Sequence, residues 1–196
     1  MKKTKKNFTL VELLCAVGLV VVLAGIGFSA YSYASHRGKE AATRSLITRL
    51  EAALETLKTK HGFYPGSTST TAYNDITVTV NSTTGIVEQI DFGKTKLPAN
   101  VSSVTDAEKK QLKDFLAVLD GETLKKNITS AGVLSDAWGG AIKYQYPGKV
   151  NKIKFDIVAP GADEGFGTSG ASTPPSAITG YRKNGEWACD DVANFK

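Results

Sequence analysis

From Leu13 to Ala30 the chain runs eighteen residues without a charge, and beyond that run the hydrophobic pattern changes but does not stop. Between His36 and Lys60 apolar residues return with a 3.6-residue period. Leu46, Ile47, Leu50, Leu54 and Leu57 share one stripe, while Lys39, Arg44, Arg49, Glu51, Glu55 and Lys58 occupy much of the remaining surface. Gly62 and then Pro65 are stop signals. The spacing predicts one helix from Phe8 to about His61, about 80 Å long at 1.5 Å per residue. Its first half is apolar all round and long enough to cross a hydrocarbon core of about 30 Å. Its second half is amphipathic and needs a domain against it.

Further along, Ile76-Thr77-Val78-Thr79-Val80 alternates and predicts a strand, and Ile86 to Phe92 a second, with the turn around Asn81–Gly85 closing a hairpin. Thr105-Asp106-Ala107-Glu108 fits a capping box. Behind it Leu112, Phe115, Leu116 and Leu119 form a helical stripe that Gly121 is expected to end. Ala141 to Tyr146 sets Ile142, Tyr144 and Tyr146 on one face, and Lys152 to Ala159 predicts another strand with Ile153, Phe155 and Ile157 inward. The expected fold is α+β, a long N-terminal helix packed against a small antiparallel β-sheet. Trp138, Tyr144, Tyr146, Phe155, Tyr181 and Trp187 are assigned to its core. No internal repeat is visible.

Charge changes the picture only at the N-terminus. The 196 residues carry a net charge of +5, and four lysines (Lys2, Lys3, Lys5, Lys6) fall in the first seven positions. The remainder holds 20 basic against 19 acidic residues, so the basic character is a tail and no nucleic-acid contact is predicted. Lysines ahead of an apolar span predict a cytoplasmic N-terminus. The apolar run exceeds the 7–15 residues or so of a cleavable signal. Glu12 also stands between the lysines and that run, where an ionisable group costs a few kcal/mol and marks a function. Two cysteines, Cys15 and Cys189, build no disulfide framework and read as free thiols.

These residues carry a family resemblance. Lys5-Lys6-Asn7-Phe8-Thr9-Leu10-Val11-Glu12-Leu13-Leu14 resembles the cleavage and methylation motif of type IV pilins and type II secretion pseudopilins. The resemblance implies that a prepilin peptidase cuts between Asn7 and Phe8, that the new Phe8 amine is N-methylated, and that Glu12 pairs with the Phe8 amine of a neighbouring subunit. A carboxylate in low dielectric needs such a partner charge. Asn7 stands where the family carries glycine, and Ser29 near the point where many relatives have a kinking proline. Leu134-Ser135-Asp136-Ala137-Trp138-Gly139-Gly140 is similar to the Asp-Pro-Trp-Gly-Asn stretch of the major pseudopilin, with Ala137 for its proline and Gly140 for its asparagine.

The resulting organisation is a basic leader (1–7), a transmembrane and filament-core helix (8–34), its amphipathic continuation (35–62), and a pilin-like globular domain (63–196) with an atypical insertion (66–133). Function is expected to be structural and not enzymatic: a type II secretion pseudopilus subunit polymerised through its N-terminal helix. A type IV pilus subunit and a membrane-anchored extracytoplasmic binding module are the alternatives. Implied partners are prepilin peptidase, identical or related pilin subunits and an inner-membrane assembly platform. The expected location is the inner membrane, single-pass, with the C-terminal domain periplasmic.

Major pseudopilins bind calcium in the loop after the second C-terminal strand. By that resemblance Asp163 and Glu164 are the candidate ligands, whereas Asp190 and Asp191 lie too far along the chain to be assigned. Gly165-Phe166-Gly167-Thr168-Ser169-Gly170 spells the dinucleotide fingerprint, but Ala171-Ser172-Thr173-Pro174-Pro175 cannot open the helix that pattern requires. His36 and His61 have no partners at triad or zinc spacing, and His61 is expected to be solvated or to cap a helix end.

Overall fold

Helix α1 runs unbroken over Leu10–His61 in the computed structural model, which describes residues 9–67, 72–98 and 104–195. Its start is a reciprocal cap. The Thr9 N–H donates to Glu12 Oε2 at 2.8 Å and the Glu12 N–H to Thr9 Oγ1 at 3.2 Å, satisfying two of the helix's orphan donors. Its end is Gly62, at φ +82°, with the Lys58 ammonium donating to the Gly62 carbonyl. The chain divides into two compact units at residue 38, inside this helix.

In the first unit, residues 1–38, the described side chains of the apolar run are exposed, and none of the most hydrophobic window is buried. In the second, residues 39–196, Leu46, Ile47, Leu50, Ala53, Leu54 and Leu57 of α1 are buried, the stripe read from the sequence. Each fully buried leucine of this kind contributes about 2 kcal/mol. Strands β1 (Asn74–Asp75), β5 (Lys143–Gln145), β6 (Asp156–Ala159) and β9 (Val192–Ala193) form an antiparallel sheet in that order. A second sheet is the meander β2 (Thr77–Val80), β3 (Val87–Asp91) and β4 (Lys96–Pro98). Helix α2 (Asp106–Leu119) contributes Leu112, Phe115 and Leu119 to the shared core, and the Thr105–Glu108 capping box forms as expected. Phe92, Phe115, Tyr144 and Phe155 meet edge-on or tilted at the centre, with the Tyr144 hydroxyl donating to the Pro65 carbonyl at 2.7 Å. A small hairpin, β7 (Arg182–Lys183) and β8 (Glu186–Trp187), turns on Asn184-Gly185, both at positive φ.

Two expectations are corrected. Gly121 does not end α2: Asp120 takes the left-handed φ of 54° and its carboxylate accepts from the Glu122 and Thr123 N–H groups, so a further helix, α3 (Gly121–Lys126), starts at once. The strand predicted from Lys152 shrinks to β6, and Ile153, expected inward, is 90% exposed. The cause is Asp156, fully buried. Its carboxylate accepts from the Tyr73 hydroxyl and from the N–H groups of Lys149, Val150 and Asn151, curling 147–154 into a loop with Ile153 near its tip. The expected α+β arrangement stands, its antiparallel strands falling into three sheets, with β1 and β9, each two residues long, and β4 carrying too little alternation to be read in sequence. Of the aromatics assigned to the core, Tyr144, Phe155 and Tyr181 are buried, whereas Trp138, Tyr146 and Trp187 are half-buried.

Candidate functional site

The residues implicated by sequence lie in two places. Asn7 and Phe8, the expected cleavage and methylation positions, lie outside the described residues. Glu12 sits in the first turn of α1, where both the Thr9 N–H and the Thr9 hydroxyl donate to its Oε2, at 2.8 and 2.9 Å. Within a single chain the carboxylate therefore has a local, uncharged partner. Its second oxygen leaves capacity for a donor from elsewhere.

The second place is the loop following β6. Its frame is held by a second buried carboxylate. Asp136, 4% exposed, accepts from the N–H groups of Trp138, Gly140 and Gly161. Burial pushes its pKa up against the pull of those donors. Gly140 packs tightly on Pro160, so the tight turn read as the pseudopilin-like stretch is the wall on which the loop rests. Beyond Pro160 the chain makes one 3-10 turn, Gly161–Asp163.

That turn brings three carboxylates together. Oxygens of Asp163, Asp190 and Asp191 all lie within 4.8 Å of one another. Asp190 Oδ2 accepts from the Ala162 and Asp163 N–H groups, and Asp191 Oδ2 from the Gly167 N–H at 2.6 Å. Asp191 Oδ1 is buried and accepts no hydrogen bond. Burial lifts the Asp191 carboxyl to about 7. A buried, unpartnered carboxylate oxygen beside two further carboxylates is unfavourable as it stands and is relieved by a cation. The donor set, all hard oxygen, suits calcium, with carbonyls and water completing six to eight ligands. The chemistry of the cluster is compatible with the ion that the resemblance implies.

Glu164 is exposed at φ +58° and is not among the clustered carboxylates. Asp190 and Asp191, left unassigned in the sequence reading, complete the cluster with Asp163. They are brought in by β9, whose Val192 and Ala193 pair with Ala159 and Val158. Asn194 reinforces the join, accepting the Ile157 N–H and donating to the Phe155 carbonyl. The available signal was the adjacent acid pair directly before a short apolar stretch, and its distance in sequence concealed it.

His61 is neither solvated nor a simple cap. Its Nε2 lies 3.0 Å from Asp114 Oδ2, and Lys60 Nζ lies 2.8 Å from Asp114 Oδ1, clamping the end of α1 to α2. The Cys189 thiol is pushed up to about 12 by burial and by Asp191, which leaves it a poor nucleophile. Gly167–Ser169 is a single 3-10 turn, so the glycine-rich stretch opens no nucleotide-binding helix.

The family model for Type II secretion system (T2SS), protein G matches residues 108–174, from the first turn of α2 through the loop that carries Asp163. The match begins inside the stretch set apart as an insertion, so only 66–107 of that stretch lies outside it. No solved structure matches the chain. The matched family is a structural secretion pseudopilin and not an enzyme family. The α1 helix, apolar and uncovered over its first half, fits a membrane-anchored protein. Over the matched residues the chain is similar to type II secretion system protein G, which supports the resemblance to pseudopilins read from the sequence.

Proposed function

We propose that the chain is a filament-forming pseudopilin of a type II secretion system. The leader is cut between Asn7 and Phe8, the Phe8 amine is methylated, and the mature chain waits in the inner membrane with its globular unit in the periplasm. An assembly platform then draws subunits together, and identical or related copies bury the apolar half of α1 against one another. Glu12 exchanges its Thr9 contact for the Phe8 amine of a neighbour, a charge-assisted bond that sets axial register. Calcium held by Asp163, Asp190 and Asp191 ties the C-terminus to the loop after β6.

The observation that carries this reading is a 52-residue helix whose second half is buried in its own domain and whose first half is apolar and exposed at its described residues. A membrane anchor alone would not need Glu12. Coexpression with a prepilin peptidase tests the first step. The expected product lacks seven residues and begins with N-methyl-Phe8 by mass spectrometry. A chain that keeps Met1 under those conditions would favour a tethered binding module.

A further inference from the structure

Among the described residues, the globular unit exposes two large aliphatic side chains, Ile86 and Ile153. Ile86 forms the lip of a groove of about 580 Å³ between the β2–β3 turn and α2. The helical stripe that packs Leu112 into the core continues to Leu116 at the groove floor, with Val87 opposite, and the small Ala117 leaves the space open. Lys109 and Lys113, four apart and so on the same side of α2, line one wall, Lys109 also reaching the exposed Asp106 at 3.4 Å, and among the described residues no carboxylate lines the groove itself. Next to it, Lys125 borders a continuing recess and pairs with Glu122. An apolar floor walled by cations is a surface with a definite complement.

The α2 wall from Lys109 to Ala117 is about 12 Å long, or roughly two helical turns. The chain's own exposed Ile153 is not that complement. It sits between Lys152 and Lys154, which would face Lys109 and Lys113. Two lysines over an apolar floor also differ from a nucleic-acid site, where affinity rests on many phosphate contacts. We infer that this groove docks an acidic amphipathic helix of a partner protein, aliphatic side chains against Ile86, Leu116 and Ala117 and carboxylates against Lys109 and Lys113. The surface is separate from the polymerising helix, so the inference stands or falls apart from the filament reading.

The test uses the full chain held in amphipol, with empty amphipol as blank. Two fluorescent peptides of about three helical turns share one leucine ridge, one flanked by glutamates and the other by lysines. Anisotropy should show the acidic peptide binding at least about tenfold tighter than the basic one, with the difference shrinking as salt rises. K109E/K113E should reverse the preference. A117W, which fills the groove from an exposed position, should weaken the acidic peptide about tenfold while leaving the thermal midpoint in place. Equal affinity for both peptides, or binding indifferent to both variants, would overturn the inference. So would an A117W-sensitive self-association, or equally tight A117W-sensitive binding of phosphatidylglycerol vesicles.

Discussion

The two halves of α1 are covalently one helix and chemically two. Residues 46–57 present a leucine stripe that the sheets and α2 cover completely, and the opposite face carries Arg44, Arg49 and Lys58 to water. Residues 13–30 are apolar on all faces, and not one large described side chain there is covered. A face covered by its own chain contributes to that chain's stability. An apolar surface that is uncovered all round contributes nothing to it and is available to lipid or to other copies. The domain's stability is thereby assigned to one stretch of the element and, in the filament reading proposed above, assembly to the other.

The contrast can be broken by substitution. The largest effect is expected in the covered half. Leu54→Ala should lower unfolding free energy by about 3–5 kcal/mol in a denaturant titration, because it opens a cavity at the centre of the core. Leu19→Ala, in the uncovered half, should leave that titration unchanged while reducing filament yield. Equal destabilisation by the two would remove the distinction.

Within the globular unit, Asp156→Asn should cost about 2–4 kcal/mol, since one amide oxygen cannot accept the four hydrogen bonds that shape 147–154. Calcium should raise the thermal midpoint of the native chain, by the equivalent of about 2.7 kcal/mol at a hundredfold excess over Kd. Asp191→Asn should abolish the calcium response and leave the cation-free midpoint little changed. The smallest effect belongs to Asp114, half-buried beside Lys60 and His61. The Lys60 hydrogen bond and then the His61 contact hold its carboxyl below the ordinary value. A depressed folded-state pKa gives stability that is present above the ordinary carboxylate range and lost as pH falls through the folded value. Asp114→Asn should therefore shave the midpoint slightly at neutral pH and flatten its decline in acid.

What the chain disclosed before its fold was seen follows the range of the interactions. α1, the α2 capping box and the stripe from Leu46 to Leu57 are local, repeating signals, and all three formed where the periodicity put them. Ile153 misled because alternation was read through a segment whose shape is set by one buried carboxylate, Asp156, gathering backbone donors. The acidic cluster was half legible. Asp163 lay in a recognisable loop, but Asp190 and Asp191 reach it only through the β6–β9 pairing, a contact between residues more than thirty apart. The Lys60–His61–Asp114 clamp was invisible for the same reason, its partners being over fifty residues apart.

The central claim is that other copies cover the apolar half of α1, with Glu12 checking their register. The direct measurement compares native and Glu12→Leu chains in cells that assemble the filament, scoring membrane insertion and sedimentable filament together. The account predicts equal insertion, an unchanged thermal midpoint of the globular unit, and filament yield reduced at least about tenfold, as expected for the loss of a low-dielectric ion pair. Glu12→Leu filaments at the native level would contradict it.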